Sequence, residues 1–115
     1  MRAGIVGAGF IGGVHAFALR SLGIEVAWLA GRHDDLEVLL DEQRPDVLHV
    51  CTPNNLHAPQ ALAALERGIH VVCEKPLAVT SDECAELIAA SEGLVNAVCY
   101  HTRAYPLVEH MCAEI

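Results

Sequence analysis

Positive charge is scarce in this sequence. Its 115 residues include seven Lys and Arg against fifteen Asp and Glu, which gives a formal net charge of -8. No run of basic residues offsets that balance locally, so the chain should repel nucleic-acid phosphates and anionic lipid headgroups. We therefore expect no nucleic-acid partner. Lysine is the scarcest charged residue, and Lys75 is its single representative.

The sequence also lacks an apolar segment long enough to cross a membrane. Residues 3–19 carry no charge, but this stretch is shorter than the ~20 residues that a membrane helix needs, and glycines and His15 interrupt it. The same glycines argue against a secretory signal peptide. No membrane partner is expected.

Paired cysteine motifs are absent as well. The chain has five cysteines, an odd number that would leave one outside any disulfide scheme, and none of them form a C-x-x-C pair. A reducing compartment fits this usage best, so the sequence predicts a cytoplasmic protein. The cysteines are Cys51, Cys73, Cys84, Cys99 and Cys112.

The residues that are present suit one folded domain. Hydrophobic residues make up 53% of the chain and charged residues 19%, a balance typical of globular proteins, and the length predicts a single domain over residues 1–115. Short β-rich runs alternate with segments of helical period. Strands are predicted at Arg2–Val6, Val26–Ala30, Val47–Cys51, His70–Cys73 and Val95–Tyr100.

Helix signals occupy the segments between those strands. Two residue pairs, Asp34 with Glu37 and Thr80 with Glu83, have the spacing of a capping box. An alternation of strands and helices predicts a doubly wound, Rossmann-like α/β domain with a parallel sheet and helices on both faces. The helices are predicted over residues 11–22, 35–43, 57–67 and 80–91, with a connecting helix from about 106.

Ligands of such sheets bind outside the carboxyl ends of the strands. Residues 7–12 read G-x-G-x-x-G between a predicted strand and a predicted helix, which is the context that the dinucleotide-binding fingerprint requires. Gly7 would allow the tight turn, Gly9 the approach of a pyrophosphate and Gly12 the close packing of helix and strand. The helix N-terminus would receive the negative charge. The motif therefore predicts dinucleotide binding.

The end of the second predicted strand favours NADP slightly over NAD. NAD-binding domains carry an acid there for the ribose hydroxyls, and Ala30-Gly31-Arg32 has none. Arg32 could instead pair with a 2′-phosphate, beside a glycine that leaves room for it. The alternative is a surface arginine at a strand end.

The sequence Glu74-Lys75-Pro76 directly follows the fourth predicted strand and contains the only lysine of the chain. A lysine in this place would project over the cofactor crevice. It could donate to a substrate hydroxyl or ketone oxygen while a hydride leaves or reaches the adjacent carbon. The alternative is a solvated ion pair of Glu74 and Lys75 before a turn proline.

A different chemistry would use the cysteines. Cys51, Cys73 and Cys99 each lie at the carboxyl end of a predicted strand, and with His101 or His57 they could compose a zinc site. Cysteines at apolar strand ends are more often small buried hydrophobic residues. No metal site is therefore predicted.

In their order, these motifs resemble the nucleotide-binding half of the Gfo/Idh/MocA oxidoreductases, the glucose-fructose oxidoreductase and inositol dehydrogenase family. The resemblance implies an NAD(P)-dependent enzyme that oxidises or reduces a sugar, a polyol or a related carbonyl compound. It rests on residues 7–12, on Thr52-Pro53-Asn54 with His57, on the run from Ala64 to Ala78 that contains Glu74-Lys75-Pro76, and on Arg103 with Pro106.

The resemblance also implies roles for single residues. Lys75 would contact the substrate as the catalytic residue, with Glu74 beside it, and family members often have a cis peptide bond before the proline of this motif. His57 would brace the following helix, and a histidine bonded to backbone is as good an interpretation as a ligand contact. The residues expected at the cofactor are Gly7, Gly9, Phe10, Ile11, Gly12, Arg32, Thr52, Pro53, Asn54, His57, Glu74, Lys75, Pro76 and Arg103.

The sequence departs from the family in two places. Residues 31–33 stand where members usually have a further helix and strand, so the helix near 35–43 would pass across the first strand and leave a sheet edge uncovered. The family's second domain, with most of the substrate pocket and the oligomer interface, has no counterpart in the sequence. A truncated, non-catalytic dinucleotide-binding module is therefore the alternative function, and a homo-oligomer is expected only if that domain exists.

Overall fold

A computed structural model describes residues 1–114. Strands and helices alternate in the predicted order, and their ends differ from the predicted ones by no more than two residues. The strands are β1 (Arg2–Val6), β2 (Glu25–Ala30), β3 (Val47–Val50), β4 (His70–Glu74) and β5 (Asn96–Cys99). The helices are α1 (Phe10–Ser21), α2 (Leu36–Gln43), α3 (His57–Leu65), α4 (Ser81–Ala90) and α5 (Pro106–Ala113), with short 3-10 helices at Asn54–Leu56 and His101–Ala104.

The five strands form one parallel sheet of order β2-β1-β3-β4-β5. Because α2 connects β2 to β3, the chain passes across β1, and within residues 1–114 β2 has a strand neighbour on one side only. Residues 31–35 alone join β2 to α2. The predicted doubly wound α/β fold is confirmed, including the direct crossover that places β2 at an edge.

Helices cover both faces of this sheet. Alternate residues of a strand point to opposite faces, so Ala3 and Ile5 of β1 pack with Leu19 of α1. Val6, the last residue of β1, belongs to the cluster on the other face together with Leu48 of β3. Complete burial of a large aliphatic side chain stabilises a fold by roughly 1.5–3 kcal/mol. This two-sided core fixes the level at which each strand ends.

The predicted capping box of Thr80 and Glu83 is confirmed at the start of α4. The Glu83 N–H donates to Thr80 Oγ1 at 3.2 Å, and the Thr80 N–H donates to Glu83 Oε2 at 3.0 Å. Two N–H groups that would otherwise lack a partner are satisfied reciprocally. α4 therefore begins where the sequence predicts.

The predicted capping box of Asp34 and Glu37 is wrong. α2 begins at Leu36, so Asp35 is its N-cap, and Asp35 Oδ1 accepts from the Glu37 N–H at 3.0 Å. Asp34 turns back to the strand end, where its Oδ2 accepts from the Gly31 N–H at 2.7 Å. Two adjacent aspartates carry the same capping signal, and the one directly before the first helical turn caps the helix.

Candidate functional site

The candidate site lies at the edge of the sheet where the strands end. The register pairs Val6 of β1 with Val50 of β3, Val50 with Cys73 of β4, and Cys73 with Val98 of β5. The residues that follow these four are at one level, and they are Gly7, Cys51, Glu74 and Cys99. The glycine turn and the Glu74-Lys75-Pro76 turn therefore share one edge.

The glycine turn depends on two positions that exclude a side chain. Gly7 has a φ of 104°, in the left-handed region that favours glycine. A Cβ on Gly7 would collide with the carbonyl oxygen of Cys51, and a Cβ on Gly12 would collide with the carbonyl oxygen of Gly7. The Gly7 N–H donates to the carbonyl oxygen of Ala30 at 2.9 Å. These contacts explain why both glycines are needed for the turn itself.

Gly9 is different, because nothing lies within 4 Å of the place where its Cβ would be. It is the N-cap of α1, no side chain caps this helix end, and the first turn contains no acid. The first N–H groups of a helix lack intrahelical partners and carry the positive end of its dipole. Phe10 and Ile11 beside it are exposed. The residues present thus fit a bound pyrophosphate at this helix end.

The end of β2 presents one cation and one anion. Arg32 is exposed and has no ion pair within residues 1–114. A Cβ on Gly31 would lie 3.7 Å from the Cβ of Ala8 and 3.8 Å from Asp34 Oδ2, so the carboxylate and the glycine turn border the same space. The sequence analysis considered residues 30–32 alone and missed Asp34, whose carboxylate folds back from the loop to the Gly31 N–H at the strand end.

His57 joins the turns that follow β3 and β4. Its side chain is only 1% exposed, its Nδ1 lies 2.6 Å from the carbonyl oxygen of Pro76, and its Nε2 lies 2.8 Å from that of Thr52. Thr52 Oγ1 donates to Gln60 Oε1 at 2.6 Å, which ties the same turn to α3. The sequence left two roles open for His57, a hydrogen bond to backbone and a contact with a ligand, and in the structure it bonds to backbone at the start of α3. Neither ring nitrogen of His57 is left for a ligand.

Lys75 is exposed beyond the end of β4, and its bond to Pro76 is cis. Its backbone N–H donates to Glu74 Oε2 at 3.2 Å. The alternative that the sequence left open, an ion pair between the Glu74 and Lys75 side chains, is not among the ion pairs of the described chain. The turn therefore presents the lysine ammonium to solvent at the shared edge.

Two histidines lie behind this turn, and sequence reasoning gave neither a role. His15 of α1 has its Nε2 3.1 Å from Glu74 Oε1, and its Nδ1 lies 2.9 Å from Nδ1 of His49 on β3. The side chains of His15 and Glu74 are only 11% and 12% exposed. The alternation of β3 places His49 on the face that α1 covers, and this was the one signal that could have paired the two histidines.

Burial and hydrogen bonding shift the acidity of these groups in opposite ways. Burial lowers the pKa of His49 to about 4, with a smaller contribution from His15, so this imidazole is neutral at pH 7. Burial alone would raise the pKa of Glu74, but hydrogen bonds from His15, Cys99 and the Lys75 N–H outweigh it and hold that pKa below its ordinary value. Glu74 is therefore a largely buried carboxylate that stays ionised.

The cysteines do not assemble into the zinc set that the sequence analysis considered. Cys73 belongs to the core cluster on one face of the sheet, whereas Cys51 packs against the cluster on the α1 face. Burial, followed by the charge of Glu74, raises the pKa of each of these thiols to about 12. In residues 1–114, the donor atoms that come within 4.8 Å of one another are those of His15, Glu74 and Cys99 instead.

The other expected cofactor contacts are exposed around the same edge. Pro53 and Asn54 lie where β3 leads into the 3-10 helix that precedes α3, and Arg103 lies in the 3-10 helix after β5. Arg103 has no ion pair within residues 1–114. These three residues stay predictions as ligand contacts.

The chain matches one protein family over most of its length. The sequence model of GFO_IDH_MocA, described as an oxidoreductase family with an NAD-binding Rossmann fold, matches residues 20–101. Across residues 1–114, no helix is both long and apolar enough to cross a membrane.

Several curated proteins are similar to this chain over part of their own length. Levoglucosan dehydrogenase of Pseudarthrobacter phenanthrenivorans is 29% identical over 94% of this chain and 35% of its own length. Inositol 2-dehydrogenase of Salmonella typhimurium is 34% identical over 80% and 33%, and D-glucoside 3-dehydrogenase of Escherichia coli is 40% identical over 58% and 19%. The chain thus spans about a third or less of these relatives. The levoglucosan dehydrogenase alignment has 136 positions, more than the 115 residues of the chain, so this relative has residues that the chain lacks.

Solved structures show the same fold. The WlbA dehydrogenase of Bordetella pertussis, solved with NADH and UDP-GlcNAcA, superimposes with a TM-score of 0.89 at 25% identity, over 96% of this chain and 40% of its own. UDP-N-acetylglucosamine 3-dehydrogenase GnnA of Acidithiobacillus ferrooxidans superimposes with a TM-score of 0.88 at 23% identity, over 99% and 43%. The family match, the glycine turn and the parallel sheet agree: this chain belongs to the Gfo/Idh/MocA oxidoreductase family and has its NAD-binding Rossmann fold.

Proposed function

We propose that this chain is the dinucleotide-binding part of an NAD(P)-dependent oxidoreductase that transfers a hydride between nicotinamide and a sugar, polyol or related carbonyl compound. The observation that carries the proposal is the shared sheet edge, where the open glycine turn after β1 and the Lys75 turn after β4 end at one level. The substrate class is supported by the relatives, which are named as dehydrogenases of levoglucosan, inositol and a D-glucoside.

The residues of the edge divide into two groups by what they would hold. The turn of residues 7–12 would receive the pyrophosphate at the N-terminus of α1, because Gly9 leaves that approach open. Thr52, Pro53 and Asn54 would line the ribose and nicotinamide side, on a turn that His57 fixes from within. The nicotinamide, when bound, supplies or accepts the hydride.

Lys75 would handle the proton that accompanies the hydride. When an alcohol is oxidised, the hydride leaves carbon, the hydroxyl proton passes to the Lys75 amine, and the C–O bond becomes a carbonyl. In the reverse direction the Lys75 ammonium returns that proton to the carbonyl oxygen as the hydride reaches carbon. Its exposed position at the shared edge supports this assignment. Glu74 stays behind it as an ionised carboxylate.

The preference between the two cofactors depends on Arg32 and Asp34. The Arg32 guanidinium would pair with the 2′-phosphate of NADP, and it has no competing carboxylate within residues 1–114. The Asp34 carboxylate borders the same space and would accept from the ribose hydroxyls of NAD. We therefore propose that the protein uses both cofactors, with a slight preference for NADP.

The chain offers a direct assay for binding, because Trp28 is its only tryptophan. NADH and NADPH titrations followed by quenching of Trp28 emission should give saturable binding of both. Arg32→Ala should weaken NADPH binding by about tenfold or more, which is the effect of losing one charge-assisted hydrogen bond, and should weaken NADH binding much less. Asp34→Asn should shift the preference further toward NADPH. Equal losses for the two cofactors in Arg32→Ala would remove the NADP assignment. Failure of the parent chain to bind either cofactor would remove the proposed function.

Turnover separates the oxidoreductase from a non-catalytic binding module. Hydride transfer from levoglucosan and from myo-inositol to NAD+ and NADP+ would be measured for the longest natural form of the protein and for its Lys75→Met variant. Lys75→Met should abolish turnover while cofactor affinity changes less than about twofold, and Arg20→Met, at an exposed cation of α1, is the control. Unaltered turnover in Lys75→Met would remove the lysine from the mechanism. Binding of cofactor without turnover of any polyol would favour the module.

The remaining parts of the proposal concern the cellular compartment and the oligomeric state. The five cysteines of the chain are free thiols in the structure, which supports a reducing compartment such as the cytoplasm. A homo-oligomer is proposed only for a form of the protein that carries the family's second domain.

A further inference from the structure

The Glu74 carboxylate is engaged at both of its oxygens. Oε1 lies 3.1 Å from His15 Nε2 on α1, and Oε2 accepts from the Lys75 backbone N–H at 3.2 Å. Neither oxygen is in an ion pair with the ammonium of Lys75, although the two residues are adjacent. The carboxylate therefore points toward the helix, away from the neighbouring cation.

The proton on His15 can be located from its two partners. Glu74 is ionised, and an ionised carboxylate only accepts hydrogen bonds, so His15 Nε2 must carry the proton between them. On the other side of the ring, Nδ1 of His15 lies 2.9 Å from Nδ1 of His49. His49 thus orients the imidazole whether it accepts from His15 or donates to it.

Every ionisable group that faces the carboxylate comes from an element packed against it. His15 approaches from α1, His49 from β3, Cys51 from the turn after β3 and Cys99 from β5, whereas the neighbouring Cys73 of β4 packs on the opposite face of the sheet. The three thiols are held protonated, since burial and the charge of Glu74 raise the pKa of each one. Two side chains of this set therefore hydrogen-bond to the carboxylate, the Cys99 thiol and the His15 imidazole, and His15 is the one that comes from α1.

We propose that His15 is a positioning residue for Lys75: it holds the Glu74 carboxylate on α1, which prevents that carboxylate from pairing with the lysine ammonium. Lys75 then stays available to a substrate oxygen. The role rests on the proposed function, since it is Lys75 that would handle the proton. The geometric part, the separation of Glu74 from Lys75, stands independently of any ligand.

The single lysine makes this separation measurable. Reductive methylation with ¹³C-formaldehyde labels Lys75 and the amino terminus, the only amines of the sequence. The Lys75 dimethylammonium signal then gives the midpoint of its titration by NMR, with no cofactor or substrate present. A parallel NADH titration reports the proposed function, so failure of one measurement leaves the other interpretable.

Two substitutions of His15 each preserve the hydrogen-bonding position of one ring nitrogen. His15→Gln places an amide near Nε2 and can still donate to Glu74, whereas His15→Asn places one near Nδ1 and contacts only His49. We expect the Lys75 midpoint of His15→Gln to equal that of the parent, and that of His15→Asn to rise by roughly one pH unit as the released carboxylate pairs with the ammonium. In the double variant His15→Asn/Glu74→Gln, the Lys75 midpoint should return to the value of the parent protein. The same change at the exposed His110 of α5, His110→Asn, is the control.

The outcomes that overturn the proposal are equally specific. An unchanged midpoint in His15→Asn, a rise of the same size in His15→Gln, or a rise that persists without the Glu74 carboxylate would each refute it. If His15→Asn does not fold, Glu74→Gln alone decides, because a carboxylate already paired with Lys75 would make this variant's midpoint fall by about one pH unit, and we expect no such fall. Stoichiometric binding of added ZnCl₂ that Cys99→Ser abolishes would also overturn it, because Glu74 would then be a metal ligand.

Discussion

The partly buried imidazole of His49 should make the stability of this protein fall as the pH drops below about 6.5. Burial lowers the pKa of His49 from 6.5 to about 4, and the charge of His15 adds to the effect. In the unfolded chain His49 takes up a proton near its ordinary pKa. Between these two values the unfolded state binds more protons, so the free energy of unfolding increases with pH.

The magnitude follows from the gap between the two states. Each pH unit between the folded and unfolded pKa corresponds to about 1.4 kcal/mol, so a gap of roughly 2.5 units sets an upper bound of about 3.5 kcal/mol. The His49 side chain is only partly buried, and solvent reduces the effect, so we expect roughly 1–2 kcal/mol. This stabilisation is complete above pH 6.5 and is lost as the pH falls through about 4.

Urea unfolding at a series of pH values between about 4 and 8 would measure this loss. His49→Asn keeps a polar group toward His15 but cannot titrate, so its stability should decline less steeply between pH 6.5 and 4 than that of the parent. His110→Asn removes an exposed histidine of α5 and should follow the parent curve. The reasoning would be refuted if His49→Asn lost stability over this range as steeply as the parent. Glu74 does not confuse the comparison, because its lowered pKa places its own loss of stability at the acid end of the range.

Three further predictions test the local geometry. Gly12→Ala should destabilise the fold by about 1–3 kcal/mol, because the new Cβ would meet the carbonyl oxygen of Gly7. Gly13→Ala is the control, because nothing lies within 4 Å of the Cβ that it adds, and it should stabilise the fold by up to about 1 kcal/mol. Thermal melts would measure both changes. Asp35→Ala should cost about 1 kcal/mol as the loss of an N-cap, whereas Asp34→Ala should leave the helix content seen by circular dichroism unchanged. Gly9→Ala should fold normally, because nothing is near its Cβ, and should weaken NADH in the fluorescence titration; unchanged affinity would contradict the pyrophosphate assignment.

The sequence predicts the fold well because its local signals, namely apolar runs, helical periodicity and helix caps, agree on where each strand and helix lies. Strands buried on both faces appear as continuous apolar runs, and the segments between them have helical period and caps. The glycine turn is readable for the same reason, since Gly12 is required by a contact within a single β-turn-α unit and Gly7 by its own left-handed φ. Signals confined to neighbouring residues are those that a single sequence can resolve.

The parts of the site that sequence reasoning missed depend on residues far apart in the chain. His15 meets Glu74 across 59 positions and His49 across 34, and neither pairing has a local signal until the register of the sheet is known. Asp34 was missed for a smaller reason. It was assigned to the helix cap, and the choice between two adjacent aspartates depends on which one is bonded to Gly31.

The short connection between β2 and α2 affects one end of the site and not the other. Within residues 1–114 β2 is one of the two edge strands, and Arg32 and Asp34, the residues that we propose choose between NAD and NADP, lie in the loop directly after it. The turns after β3 and β4 have a strand on each side and are joined by the buried His57. Within residues 1–114, the strand before the proposed 2′ end of the cofactor site therefore has a neighbour on one side only, whereas the strands before the proposed hydride end have neighbours on both sides. Cofactor preference should accordingly respond to substitution more readily than the placement of Lys75.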